Sequence, residues 1–158
     1  MNIDITDRGA VPGGKVLCTA EIQRAIDDCN ASGGGRVTVP PGVFLTGTIW
    51  LRDNVELHLE HGSVLKASAD MNDYNALDAY PQNYGCDAEM WVGKHLIIAH
   101  ETTGTAITGT GTLMGAEMPF TASLTYVRDI TGRMVLRLRK TRRLCVRDSS
   151  YALSSATM

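Results

Sequence analysis

Ten residues constrain this chain more than any others: Gly33-Gly34-Gly35-Arg36-Val37-Thr38-Val39-Pro40-Pro41-Gly42. Three consecutive glycines end a helix, Val37 and Val39 favour a short strand, and Pro40-Pro41-Gly42 turns the chain at once. Downstream, Val55, Leu57 and Leu59 alternate with Glu56, His58 and Glu60, which places apolar side chains on one face of a strand and polar ones on the other. One helix therefore gives way to strands that each bury a single face.

Taken in order, Ile3-Asp4-Ile5 predicts a first short strand and Gly9 to Lys15 a glycine-rich turn. Gly9-x4-Gly14-Lys15 comes within one residue of a phosphate-binding loop. Val16, however, stands where a Ser or Thr has to reach magnesium, so a plain turn between strand and helix is expected. Ile22, Ala25, Ile26 and Cys29 form one helical stripe, with Thr19 as the expected N-cap and Asn30 to Gly35 as the stop. Strands are then expected near Thr38, Ile49, Leu57, Leu65, Ile97, Ile107, Leu113, Leu136 and Cys145, most joined by tight turns. The lack of a second helical pattern argues against βαβ units, and both a coil of stacked rungs and a sandwich stay open. Residues 70–93 interrupt the strand rhythm with a long stretch holding Tyr74, Tyr80, Tyr84 and Trp91, and loops of that length commonly bind or cover.

Asp7, Gly9-Ala10, the helix Glu21 to Asn30, Gly33 to Gly42, Thr46-Gly47-Thr48-Ile49, Asn54 to Leu59 and Gly109-Thr110-Gly111-Thr112 together resemble glycoside hydrolase family 28. These are the polygalacturonase-like pectinases. The resemblance covers residues 4–116 and, more loosely, 134–158. It implies an all-β, right-handed parallel β-helix and inverting hydrolysis of galacturonosyl bonds in pectin. On that basis residues 1–158 form a single partial domain: a capping helix at 19–33, first rungs at 36–69, a long aromatic loop at 70–93 and further rungs over 94–158. A solenoid cut after a few rungs leaves its last strand layer uncovered, so self-association is expected. A non-catalytic β-helix of the tailspike or adhesin type shares the Asp-x-Gly-Ala opening and the glycine-proline strand turn, and is the alternative.

Net charge −2 with 20% charged residues excludes a general polyanion binder, and no nucleic-acid partner is expected. Charge is nevertheless sorted: residues 128–147 hold Arg128, Arg133, Arg137, Arg139, Lys140, Arg142, Arg143 and Arg147 against Asp129 alone. No apolar run approaches the roughly 18 residues of a membrane span, and Met1 to Ala10 has no secretion-signal core, which favours the cytoplasm without fixing the location. Cys18, Cys29, Cys86 and Cys145 lack metal-ligand spacing and are read as free thiols.

The richest chemical cluster is Glu56, His58, Glu60 and His61. At about 3.3 Å per residue its two carboxylates stand some 13 Å apart on one strand, too far for the roughly 6.5–9.5 Å of an inverting pair. A polar outer face is the expected role. The resemblance places the catalytic groups in an Asn-Thr-Asp, an Asp-Asp, a Gly-His-Gly and an Arg-x-Lys. This chain has only Asp27-Asp28 of these, and those two lie in the capping helix. No catalytic residue is assigned and no metal or organic cofactor is expected. Substrate contact, to a pectic polysaccharide or oligogalacturonide, is expected at Tyr80 and Trp91 by stacking on sugar faces and at Arg137 and Arg139 by charge.

Overall fold

Alternation decides the architecture. The computed structural model describes residues 1–76 and 95–115, and the strand positions 123–128, 134–139, 144–145 and 151–152. After β1 (Asn2–Asp4), a 3₁₀ turn (Ile5–Arg8) and helix α1 (Thr19–Ala31), the chain lays down β2 (Gly35–Val39), β3 (Gly42–Thr46) and β4 (Ile49–Trp50). It then repeats the course with β5 (Val55–Leu59), β6 (Ser63–Ala67) and β7 (Ile97–Ile98), and begins a third with β8 (Ala106–Gly109) and β9 (Thr112–Met114).

Consecutive strands do not pair with one another. Instead β1, β2, β5 and β8 stack in parallel, β3, β6 and β9 form a second parallel stack, and β4 and β7 a third. Each circuit thus visits three sheets and returns one layer further along. Parallel crossovers of this kind wind right-handed, and the fold is a right-handed parallel β-helix. Arg36 and Glu56, side by side in register, are 20 residues apart, whereas His58 and Thr108 in the next layer are 50 apart. The second coil absorbs the difference between β6 and β7, where the sequence loses its strand rhythm.

Inward positions stack like on like. Val37, Leu57 and Ile107 share one register row, Phe44, Leu65 and Leu113 another, and Ile49 lies beside Ile97. Val37, Leu57, Phe44, Leu65 and Ile49 are fully buried, each worth about 1.5–3 kcal/mol of transfer free energy. The helix closes the first end of this core through Ile22, Ala25, Ile26 and Cys29, the expected stripe.

Two local expectations are corrected. Thr19 is not the N-cap: Cys18 holds that position without a side-chain cap bond, and the Thr19 hydroxyl instead accepts from the Gly47 N–H at 2.7 Å and from the Thr46 hydroxyl at 3.3 Å. It ties the helix to the bend between β3 and β4. Strand β3 was also hidden, because Val43 and Leu45 on its outer side blur the alternation with Phe44 and Thr46. The segment Gly13 to Cys18 runs beside β3, with Gly13 N–H on Val43 O and Cys18 N–H on Leu45 O, both at 2.8 Å. It supplies the neighbour that makes these outer apolar residues tolerable.

The helix also protects an open sheet edge. Gln23 donates to Trp50 O at 2.9 Å and accepts from Trp50 N–H at 2.8 Å, standing where a neighbouring strand would pair with β4. At the helix exit, Gly35 (φ +143°) packs so close to the chain start that an added Cβ would lie 2.0 Å from Met1 O. Only glycine lets β1 join β2 at that point.

Beyond Gly115 the described strand pairs are antiparallel and do not continue the parallel stacking. β10 (Ser123–Arg128) pairs with β11 (Met134–Arg139), β12 (Leu144–Cys145) with β9 and β13 (Tyr151–Ala152) with β8. Among the described residues, no helix is long and apolar enough to cross a membrane. Cys18 and Cys29 are buried free thiols, and burial pushes the Cys29 thiol above its ordinary range despite the nearby terminal ammonium.

Candidate functional site

Because Val55, Leu57 and Leu59 face inward, Glu56 and His58 stand on the outer face of the first sheet. Parallel register sets Arg36 and Ala106 on either side of Glu56, and Thr38 and Thr108 on either side of His58. A hydrogen-bonded chain results. Arg36 Nε donates to Glu56 Oε2 at 2.9 Å, the Thr108 hydroxyl donates to Glu56 Oε1 at 2.5 Å, and His58 Nδ1 lies 2.7 Å from the Thr108 oxygen. Since the single hydroxyl proton of Thr108 goes to Glu56, its oxygen accepts from a protonated His58 Nδ1. Partial burial pushes the Glu56 carboxyl up, but the bonds from Thr108 and Arg36 and the charges of Arg36 and His58 outweigh it. The carboxyl is held below the usual range.

This arrangement is poor equipment for acid–base hydrolysis. A general acid needs a raised pKa, and Glu56 has the reverse. Glu60, exposed at the turn after β5, uses its backbone N–H on Val39 O and its carbonyl on Ser63. Asp27 accepts from Arg52 Nε at 2.8 Å and from Gln23, and Asp28 accepts from Arg8 Nε at 2.6 Å. The Asp-Asp pair therefore braces the helix against the coil. Among the described residues, no group of three or more His, Cys, Asp or Glu is placed to hold a metal ion.

Of the expected substrate contacts, Tyr80 and Trp91 lie outside the described residues. Arg137 and Arg139 fall at alternate positions of β11, opposite Thr125 and Ser123 in the antiparallel pair. Sequence reasoning missed Arg36 and Thr108 as partners of Glu56, and only the register pairs them.

A second polar cluster joins Thr48, just before β4, to Asn75 and His95. The Thr48 hydroxyl donates to His95 O at 2.6 Å, and the Asn75 side-chain oxygen accepts from His95 N–H at 2.9 Å and lies 3.1 Å from the Thr48 hydroxyl. Asn75 N–H returns to that hydroxyl at 2.9 Å. His95 is thus a buried anchor that meets Asn75 on one threonine. Next to it Tyr74 donates to Ser68 O at 2.6 Å, and burial, with the Asp73 charge, pushes its phenol up to about 12.

The class is therefore a helix-capped, right-handed parallel β-helix with a polar-laddered outer sheet. No family model matches the chain. Over 78 residues, 49% of this chain and 12% of the other, it is 45% identical to the exo-poly-α-D-galacturonosidase of Dickeya chrysanthemi. Over 117 residues, 70% of this chain and 24% of the other, it is 32% identical to a protein of Vitis vinifera named probable polygalacturonase. The family 28 exopolygalacturonase of Yersinia enterocolitica superposes with a TM-score of 0.63 at 28% identity, over 85% of this chain and 24% of that one. The resemblance to glycoside hydrolase family 28 holds in both sequence and fold over these partial spans, and the chain covers only 12% to 24% of the length of these relatives.

Proposed function

We propose that these residues are the N-terminal part of a polygalacturonase-like hydrolase, supplying the helix cap and first coils of an enzyme that cleaves galacturonosyl bonds of pectin with inversion. The observation that carries this reading is the joint match in sequence and coil geometry to exopolygalacturonases. Inverting hydrolysis requires one carboxylic acid to protonate the leaving oxygen while another carboxylate, about 6.5–9.5 Å away, activates water on the opposite face. Three of the described candidates are otherwise engaged, Asp27 and Asp28 in helix ion pairs and Glu56 between Arg36 and Thr108, and Glu60 stands about 13 Å from Glu56 along the strand. On this reading the acids that cut the bond belong to the family motifs that this sequence does not contain.

Each positioned acid or base contributes about 10² to 10⁴ in rate, so the 158-residue chain alone should release no detectable reducing ends from polygalacturonate. The assay is run beside Glu56→Gln/Glu60→Gln. Turnover by the wild type that vanishes in the double variant would make β5 an active strand and overthrow the proposal. Weak binding through Tyr80, Trp91, Arg137 and Arg139 is expected in the same preparation and should fade between low and high salt. The coding sequence beyond Met158 offers an independent check. Asn-Thr-Asp, Asp-Asp and Gly-His-Gly supports the hydrolase, and a trimerisation region the adhesin-type module.

A further inference from the structure

We propose that Arg36, Glu56, Thr108 and His58 form an acid-sensitive latch that fastens the third coil of the helix to the second. The first two coils are joined through five register pairs between β2 and β5, but only four join β5 to β8, the last of them ending on Gly109. On the outer face Thr108 makes the side-chain tie, reaching Glu56 across 52 residues of sequence. That tie is charge-assisted, and its strength depends on Glu56 being ionised.

The groups around the latch separate by what acid does to each. Arg36 on β2 stays charged throughout. His58 on β5 places Nδ1 2.7 Å from the Thr108 oxygen and 3.6 Å from Glu56 Oε1. β8 carries no ionisable side chain. Asp4 on β1 lies in the same register row as Thr38 and His58, one strand beyond Thr38, and its carboxylate caps the turn at Thr6. Glu60 stands at the exposed end of β5. Asp53, in the turn before β5, accepts the Thr103 N–H at 2.6 Å and is another carboxylate tying the second and third coils.

Protonating Glu56 removes the Arg36 ion pair and the charge on the Thr108 bond. Its folded-state pKa is lowered, so its stabilisation is complete above the unfolded value near 4.3 and is lost as pH falls through the folded value. The latch is closed at neutral pH and loosens in acid, as pH falls through the lowered folded-state value.

Amide hydrogen exchange, corrected for intrinsic rates, tests this as the ratio of β8 to β2 protection. Between pH 6 and pH 3 the wild-type ratio should fall about tenfold, the weight of one charged hydrogen bond. In Glu56→Gln the ratio should already be low at pH 6 and stay flat. Thr108→Val, which keeps the shape and loses the hydroxyl, should be equally low at pH 6 and serves if the first variant does not fold. Asp53→Asn should respond as wild type does. A wild-type ratio unchanged from pH 6 to pH 3, a persistent acid response in Glu56→Gln, or its loss in Asp53→Asn overturns the latch.

Discussion

Tyr74 shows how a single side chain records its surroundings. Its phenol packs against the core and donates to Ser68 O, and burial beside Asp73 raises its pKa to about 12. The unfolded phenol ionises near 10, so the native state holds the proton more tightly. This contribution is intact below pH 10 and is lost as pH rises towards 12. Urea unfolding at pH 9 and 11.5 should show a smaller alkaline loss in Tyr74→Phe than in wild type. At pH 7 the variant should be about 1 kcal/mol less stable for the missing hydrogen bond. An equal alkaline loss in both proteins would show that Tyr74 does not ionise as described. None of this was legible in the sequence, where Tyr74 was one of four rings in a stretch without strand pattern.

At the scale of elements, α1 separates what packing contributes from what charge contributes. Ile26 is fully buried at the end of the core, so Ile26→Ala should cost about 2–5 kcal/mol in denaturant unfolding. Asp27 beside it pairs with Arg52 while both remain nearly half exposed, so Asp27→Asn should cost under about 1 kcal/mol. Comparable losses would mean that the ion pairs, and not the apolar stripe, hold the cap. The stripe and the glycine stop were readable because they depend on periodicity within the helix. The real anchors of the cap, Gln23 on Trp50 and Thr19 on Gly47, were not, since their partners lie 27 and 28 residues away.

For the whole molecule, stability is shared between neighbouring coils, as in any solenoid. Leu57 lies between Val37 and Ile107 in the central stack, so Leu57→Ala should cost about 2–5 kcal/mol and lower amide protection in β2 and β8 together. Loss confined to β5 would show that the coils are not energetically coupled. By itself the sequence determined the capping helix, the single-faced strands and the glycine turns, because each depends on side chains a few residues apart. Its resemblance to family 28 settled coil against sandwich. Tertiary structure alone decided that β3 is a strand, that Asn75 and His95 meet on Thr48, and that Arg36 and Thr108 flank Glu56. The reason is physical: in a parallel coil each residue's decisive neighbour is a full circuit away, 20 residues in one layer and 50 in the next, and local pattern carries no signal at that range.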